Sequence, residues 1–192
     1  MAAEKLFELW AKRNPNFEKR YEDNVIKQYT DYGKGSSSFQ ESRGKIYGAG
    51  YEIYIIAFFI GLYHNRRKPL NEDSSKIKGF GQAIQYWGVR EKRGLRKQYS
   101  EIQKYIFAAL VARSDIDFIA LDQDKINARK AVDILTTTME EYANFGFDYI
   151  EDKMLDNPEY FFKNSAFLDV FLSFITGKND TSEDDDDVES LD

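Results

Sequence analysis

The sequence predicts an all-α fold: a compact multi-helix bundle around a buried central helix at about residues 50–64, with a disordered acidic C-terminal tail. Three observations lead there. Twelve of the thirteen residues from 51 to 63 (YEIYIIAFFIGLY) are apolar, aromatic or glycine, and Glu52 is the exception. A run without a polar face belongs in a core, buried on nearly all sides. Elsewhere apolar residues recur at helical spacing, and strand-like alternation is scarce. Residues 179–192 hold eight acids and no base, a composition that does not pack. The expected organisation is one helical domain over residues 1–178 and a tail over 179–192.

The central run spans roughly 20 Å as a helix, too short to cross a bilayer. A buried strand is the rival reading, because Ile53, Ile55, Ile56 and the aromatics also favour sheet. Arg66, Arg67 and Lys68 suit the negative end of a helix dipole, and Pro69 stops the helix. Ile56 and Phe59 are expected among the buried positions.

The other elements follow from local spacing. Residues 3–12 form a first helix with an apolar stripe of Leu6, Phe7, Leu9 and Trp10, broken by Asn14, Pro15 and Asn16. Residues 17–32 form a second, because Phe17, Tyr21, Val25 and Tyr29 recur every four residues, with Gly33 as its cap. The Gly/Ser-rich residues 33–50 read as a loop whose spacing matches neither phosphate-binding glycine motif. Ile77, Phe80, Ile84 and Trp87 fit either a short broken helix or a docking loop. Helical spacing resumes at Tyr99, Ile102, Ile106 and Leu110 and ends at Ser114, Asp115 and Asp117. A helix follows over about residues 125–142, which Asn144 and Gly146 bend or stop. An apolar stripe of Phe147, Ile150 and Met154 continues into another, and Pro158 opens the last helix, to Ile175.

Charge is segregated. The formal charge is −6, yet without the tail 27 bases face 25 acids. Residues 62–104 carry 11 bases and 4 acids, whereas residues 105–178 carry 7 bases and 13 acids. A basic middle raises the question of nucleic acid. Arg90, Lys92, Arg93, Arg96 and Lys97 are the candidate contacts; Lys92, Arg96 and Gln103 are placed to line a groove, with Tyr86, Trp87 and Tyr99 nearby. A solvated or protein-facing loop is the plainer alternative.

Catalytic signatures are absent. With no cysteine and His64 as the single histidine, thiolate chemistry and histidine clusters are excluded. Glu52 reads as one half of a salt bridge with Arg43 or Lys45. Asp115, Asp117, Asp122 and Asp124 miss the calcium-loop pattern, since Ala120 and Ile126 stand where glycine and glutamate are needed. Adjacent Glu140 and Glu141 point to different faces of a helix. No catalytic residue, cofactor or metal site is expected; the competing reading is a cryptic metal-dependent nuclease or hydrolase centred on Glu52 or residues 115–124. The start MAAEKLFELWAKR lacks a secretory pattern and no run reaches membrane length, so a cytoplasmic protein without membrane contact is expected.

Three stretches carry a family resemblance: YEIYIIAFFIGLYHNRRKPL, IQKYIFAALVARSDIDFIALD and EEYANFGFDYIEDKML. In this order, over about residues 46–155, they resemble the small Dnd system-associated proteins encoded beside bacterial DNA phosphorothioation genes. Arg67, Lys68, Pro69 and Leu70 match that family's helix exit. Glu140, Glu141, Tyr142, Ala143, Asn144 and Gly146 match its later helix motif. Phe145 stands in place of a second glycine, and Ser114-Asp115 replaces a glycine-containing turn. The resemblance implies a non-enzymatic accessory subunit of an anti-phage, DNA-targeting defence system. It would work through contacts with other proteins of a defence operon, with DNA, or with both. It transfers no active site.

Overall fold

A computed structural model describes residues 2–30, 49–88, 100–123, 125–163 and 165–175. Seven α-helices dominate: α1 (Ala2–Ala11), α2 (Lys27–Tyr29), α3 (Gly50–His64), α4 (Ser100–Arg113), α5 (Phe118–Asp122), α6 (Ala128–Asp156) and α7 (Ala166–Ile175). Two short strands, β1 (Asn16–Glu18) and β2 (Ile77–Gly79), pair antiparallel with Phe17 opposite Lys78. The fold is all-α around α3, and the strand reading of the apolar run is overturned. No described helix is long and apolar enough to cross a membrane.

Helix α3 lies along the middle of α6, and α1, α4, α7 and β1 pack around that pair. The crossing is close because glycine faces backbone on both helices. A Cβ on Gly61 would lie 2.1 Å from the Tyr142 carbonyl oxygen, and one on Gly146 would lie 1.8 Å from that of Ala57. Tyr51, Ile53, Tyr54, Ala57, Phe58 and Ile60 are buried. Tyr54 has Phe80, Trp87 and Phe147 within 5.2–5.5 Å, an aromatic centre joining α3, the β2 segment and α6. The expectation for Ile56 and Phe59 needs correction. Both are half-buried; Phe59 faces α4 across a shallow apolar groove with Leu62, Tyr63 and Ala109, while its neighbour Phe58 is fully enclosed.

Further expectations are corrected, and the open choice at residues 77–87 is decided. Residues 17–32 are not one helix. Phe17 sits in β1, and a π-helical turn (Glu22–Ile26) precedes α2; β1 pairs with residues some sixty positions away, which local periodicity does not register. Phe80, Ile84 and Trp87 form a docking loop with a 3₁₀ turn (Ile84–Tyr86), and Gln103 of α4 donates from Nε2 to the Trp87 carbonyl at 2.7 Å. Helix α3 keeps its expected bounds, but the residue that ends it is Asn65, whose left-handed conformation (φ 52°) closes the C-terminus four residues before Pro69. Helix α6 runs unbroken for 29 residues, capped by Asn127. Pro158 lies in a turn, and α7 begins only at Ala166 after a 3₁₀ turn (Tyr160–Phe162).

Candidate functional site

The polar residues that converge best lie where the chain leaving α3 crosses α6 beside β1. The Lys68 N–H donates to the Glu141 carbonyl at 3.1 Å. Asn144, buried on α6, points its amide at this exit. Its Nδ2 lies 2.9 Å from the Pro69 carbonyl, 3.2 Å from that of Lys68 and 3.1 Å from Glu18 Oε1. Two protons serve three acceptors, so one is shared. Glu18 Oε1 also accepts from the Asn71 N–H, and its Oε2 from Arg20 Nε at 2.9 Å.

Around this clamp runs a charge network. Arg20 bonds Asp148 at 2.6 Å and Glu151 at 2.7 Å, while Lys68 bonds the other oxygen of Asp148 at 2.5 Å. Tyr21 lies beneath Arg20, stacked on Phe147, and its hydroxyl donates to Asp148 at 3.1 Å. Burial pushes the Tyr21 phenol far up, reinforced by the Asp148 charge. Burial also raises Asp148, but hydrogen bonds from Lys68 and Arg20 outweigh it and hold the carboxyl below its ordinary value. For Arg20 burial works against the charge, and the bonds to Asp148 and Glu18 override it. Tyr21, Asp148 and Arg20 are therefore each held in their usual protonation state near neutrality, with no proton to exchange. A cleft of about 510 Å³ opens beside the network, lined by Glu18, Lys19, Arg20, Lys68, Asn71, Ser75 and Lys76. Two of its cations, Arg20 and Lys68, are already committed to carboxylates, and these pairs hold β1, the exit and α6 together.

No protein-family model, characterised protein or solved structure matches the chain.

The residues singled out from sequence divide into two groups. Arg90, Lys92, Arg93, Arg96 and Lys97 lie outside the described residues, as do Tyr99, Arg43, Lys45, Asp124 and the acidic tail. Others take structural work. Trp87 is fully buried with its indole N–H on the Gln82 carbonyl, and Gln103 is spent on Trp87; neither lines an open groove. Glu52 takes the third position of α3, its carboxylate 3.4 Å from the Ala49 N–H. Asp117 caps α5 through the Ala120 N–H at 2.9 Å. Among the described residues no group of three or more potential ligands converges to hold a metal ion. The converging set itself was not read from sequence: Glu18, Arg20 and Asp148 drew no notice, and Asn144, inside the EEYAN stretch, was read only as a helix breaker and motif residue, although the four meet across more than 120 residues of sequence.

Glu140 is a further buried acid. It accepts from the backbone N–H of Asn16 at 2.7 Å and from its side chain at 3.0 Å. Burial raises its pKa; the two Asn16 bonds oppose this without cancelling it, Glu141 adds to it and Arg13 offsets part. A carboxyl raised on folding contributes stability below its unfolded pKa and loses it as pH climbs through the folded value. Glu140→Gln keeps an acceptor for Asn16 and removes the charge. Thermal melts from pH 4 to 7 should therefore show the variant losing less stability than wild type as pH rises. A steeper loss in the variant would mean that the charge itself is favourable at this site.

Proposed function

We propose that this chain is a non-enzymatic accessory protein of a bacterial DNA-targeting defence system of the phosphorothioation type, acting in the cytoplasm through protein contacts, DNA contacts or both. The observation that carries the reading is the meeting of the first and third of the three stretches on which the Dnd-associated resemblance rests. Lys68, Pro69, Glu141 and Asn144 interlock backbone and side chain at one crossing, with Gly146 admitting the close approach of α3. Motif residues that lock a scaffold fit an accessory subunit whose signature is architectural. Charge segregation adds the DNA component of the reading. The competing reading, a metal-dependent hydrolase, gains nothing from Glu52 at the start of α3 or from Asp117 as a cap.

The test is co-purification of the tagged full chain expressed with its neighbouring genes. The expected result is retention of at least one neighbouring gene product at micromolar concentration, and loss of phage restriction when the chain is deleted. A chain that stays alone, and whose deletion leaves restriction intact, would overturn the accessory role.

A further inference from the structure

Away from the Arg20 network, the end of α3 presents cations and aromatic rings against the middle of α6. Phe145, Tyr149 and Lys153 follow one another at four-residue spacing along one line of α6. The His64 ring stands 5.4 Å from Phe145 and 5.0 Å from Tyr149. The Arg66 guanidinium lies 5.2 Å over Phe145, Arg67 lies 5.9 Å over Tyr142, and the Lys153 ammonium lies 5.7 Å over Tyr149. Phe145 and Tyr149 are half-buried, while Arg66 and Arg67 are exposed.

This face differs from the Arg20 network in what neutralises it. There three carboxylates lie within 3 Å of one arginine. Here Arg67 has Glu141 at 3.7 Å, Asp152 is exposed on the turn of α6 after Tyr149, and Arg66 makes no ion pair among the described residues. An exposed guanidinium lying on a half-exposed ring adds little to folding. The same pair offers a cation for a phosphate and two flat surfaces for a base. We propose that the face formed by His64, Arg66, Arg67, Phe145, Tyr149 and Lys153 binds single-stranded nucleic acid. Arg66, Arg67 and Lys153 contact phosphates, and Phe145, Tyr149 and the guanidinium planes stack on unpaired bases. From Phe145 to Lys153 the helix advances about 12 Å, enough for three or four stacked nucleotides at about 3.4 Å each. A duplex keeps its base faces inside the stack, so single strands are preferred. Neither the rings nor the cations read the sugar, so DNA and RNA strands share this chemistry. The proposal uses none of residues 90–97 and stands whether or not the chain serves a defence system.

Fluorescence anisotropy of the full chain tests it with labelled oligo(dT), oligo(rU) and a duplex of the same length, each titrated with salt. Both single strands are expected to bind more tightly than the duplex; a preference for one of them identifies the polymer that uses the face. Arg66→Ser with Arg67→Ser is expected to weaken single-strand binding at least about tenfold and to lower the log–log salt slope by about 1.4, two contacts at about 0.7 each. Tyr149→Leu should weaken binding about tenfold with the slope unchanged, because stacking releases no counterions. Arg66→Ser alone, at an exposed site, keeps the test valid should the double variant unfold; it should lower the slope by about 0.7. Photocrosslinking of bromodeoxyuridine oligonucleotide to the Phe145–Tyr149 peptide gives a readout independent of substitution. Absence of binding, equal affinity for duplex, or single-strand binding untouched by the arginine variants would overturn the site. Retention of an acidic protein partner that depends on Arg66 and Arg67, without oligonucleotide binding, would also overturn it in favour of a protein interface. Binding lost only when Arg90, Lys92, Arg93, Arg96 and Lys97 are replaced by Ser would move DNA contact to that segment. Failed co-purification with oligonucleotide binding intact would count against the defence role alone.

Discussion

Gly146→Ala is expected to cost about 4 kcal/mol or more and to lower the melting temperature by about 8–16 °C. The added Cβ would sit 1.8 Å from the Ala57 carbonyl oxygen, far inside any carbon–oxygen contact distance, and the obstacle is backbone. A flexible side chain could swing aside; a helix carbonyl in a packed core does not. Relief requires α3 and α6 to move apart, and they form the largest helix–helix interface of the fold. Separation would loosen Phe58 and Tyr54 of α3 against Tyr142 and Phe147 of α6, whose ring pairs lie 6.0 and 5.5 Å apart. Alanine has the better intrinsic helix propensity, by about 1 kcal/mol, so the sign of the effect separates packing from propensity. Gly61→Ala meets the Tyr142 carbonyl at 2.1 Å and should behave alike. The double variant should cost less than the two single costs combined, because one displacement relieves both clashes. Urea melts with an unchanged m-value give the comparison. A Gly146→Ala protein as stable as wild type would mean that the helices do not approach this closely.

The same two glycines show where sequence reading succeeded and where it stopped. The bounds of α3 were legible because an apolar run with no polar face has one stable environment, and its end is marked by an abrupt change to cations. Gly146 was read as a helix breaker, which is correct for an isolated helix. In the fold its missing side chain is what lets α3 approach, and tertiary packing holds α6 straight through it. Asn144 was misread for a related reason: its amide bonds the exit and Glu18 rather than its own backbone, so it does not break the turn. Phe58 and Phe59 could not be ranked, because an all-apolar helix carries no direction in its own sequence; the placement of α6 and α4 decides it. β1 escaped notice because three residues pairing with three distant ones leave no local period. The Glu18–Arg20–Asp148 network was illegible for the same reason, since each member alone is an ordinary surface charge.

Asn144→Leu is expected to cost about 2–4 kcal/mol with little change in side-chain volume. The Asn144 oxygen has no hydrogen-bond partner among the described residues, so the loss there comes from its NH₂ donor. Without it the Pro69 and Lys68 carbonyls and one oxygen of Glu18 face an apolar side chain. The Lys68 N–H still holds Glu141, so the exit should loosen rather than detach. Faster amide exchange at Arg67, Lys68 and Leu70 is the local signature, beyond any fall in global stability. Asn144→Asp provides the sign test. It sets a carboxylate against Glu18 and two carbonyls, an environment that raises the new acid's pKa on folding. Such a group contributes stability below its unfolded pKa of about 3.9 and loses it as pH rises through the folded value. The Asp variant should therefore be most damaged at neutral pH and recover toward wild type on acidification, whereas the Leu variant's deficit should change little with pH. An Asp variant whose deficit is the same at pH 4.5 and pH 7 would show that the Asn144 donor does not face Glu18 and the exit carbonyls, and the clamp would then have to be redrawn.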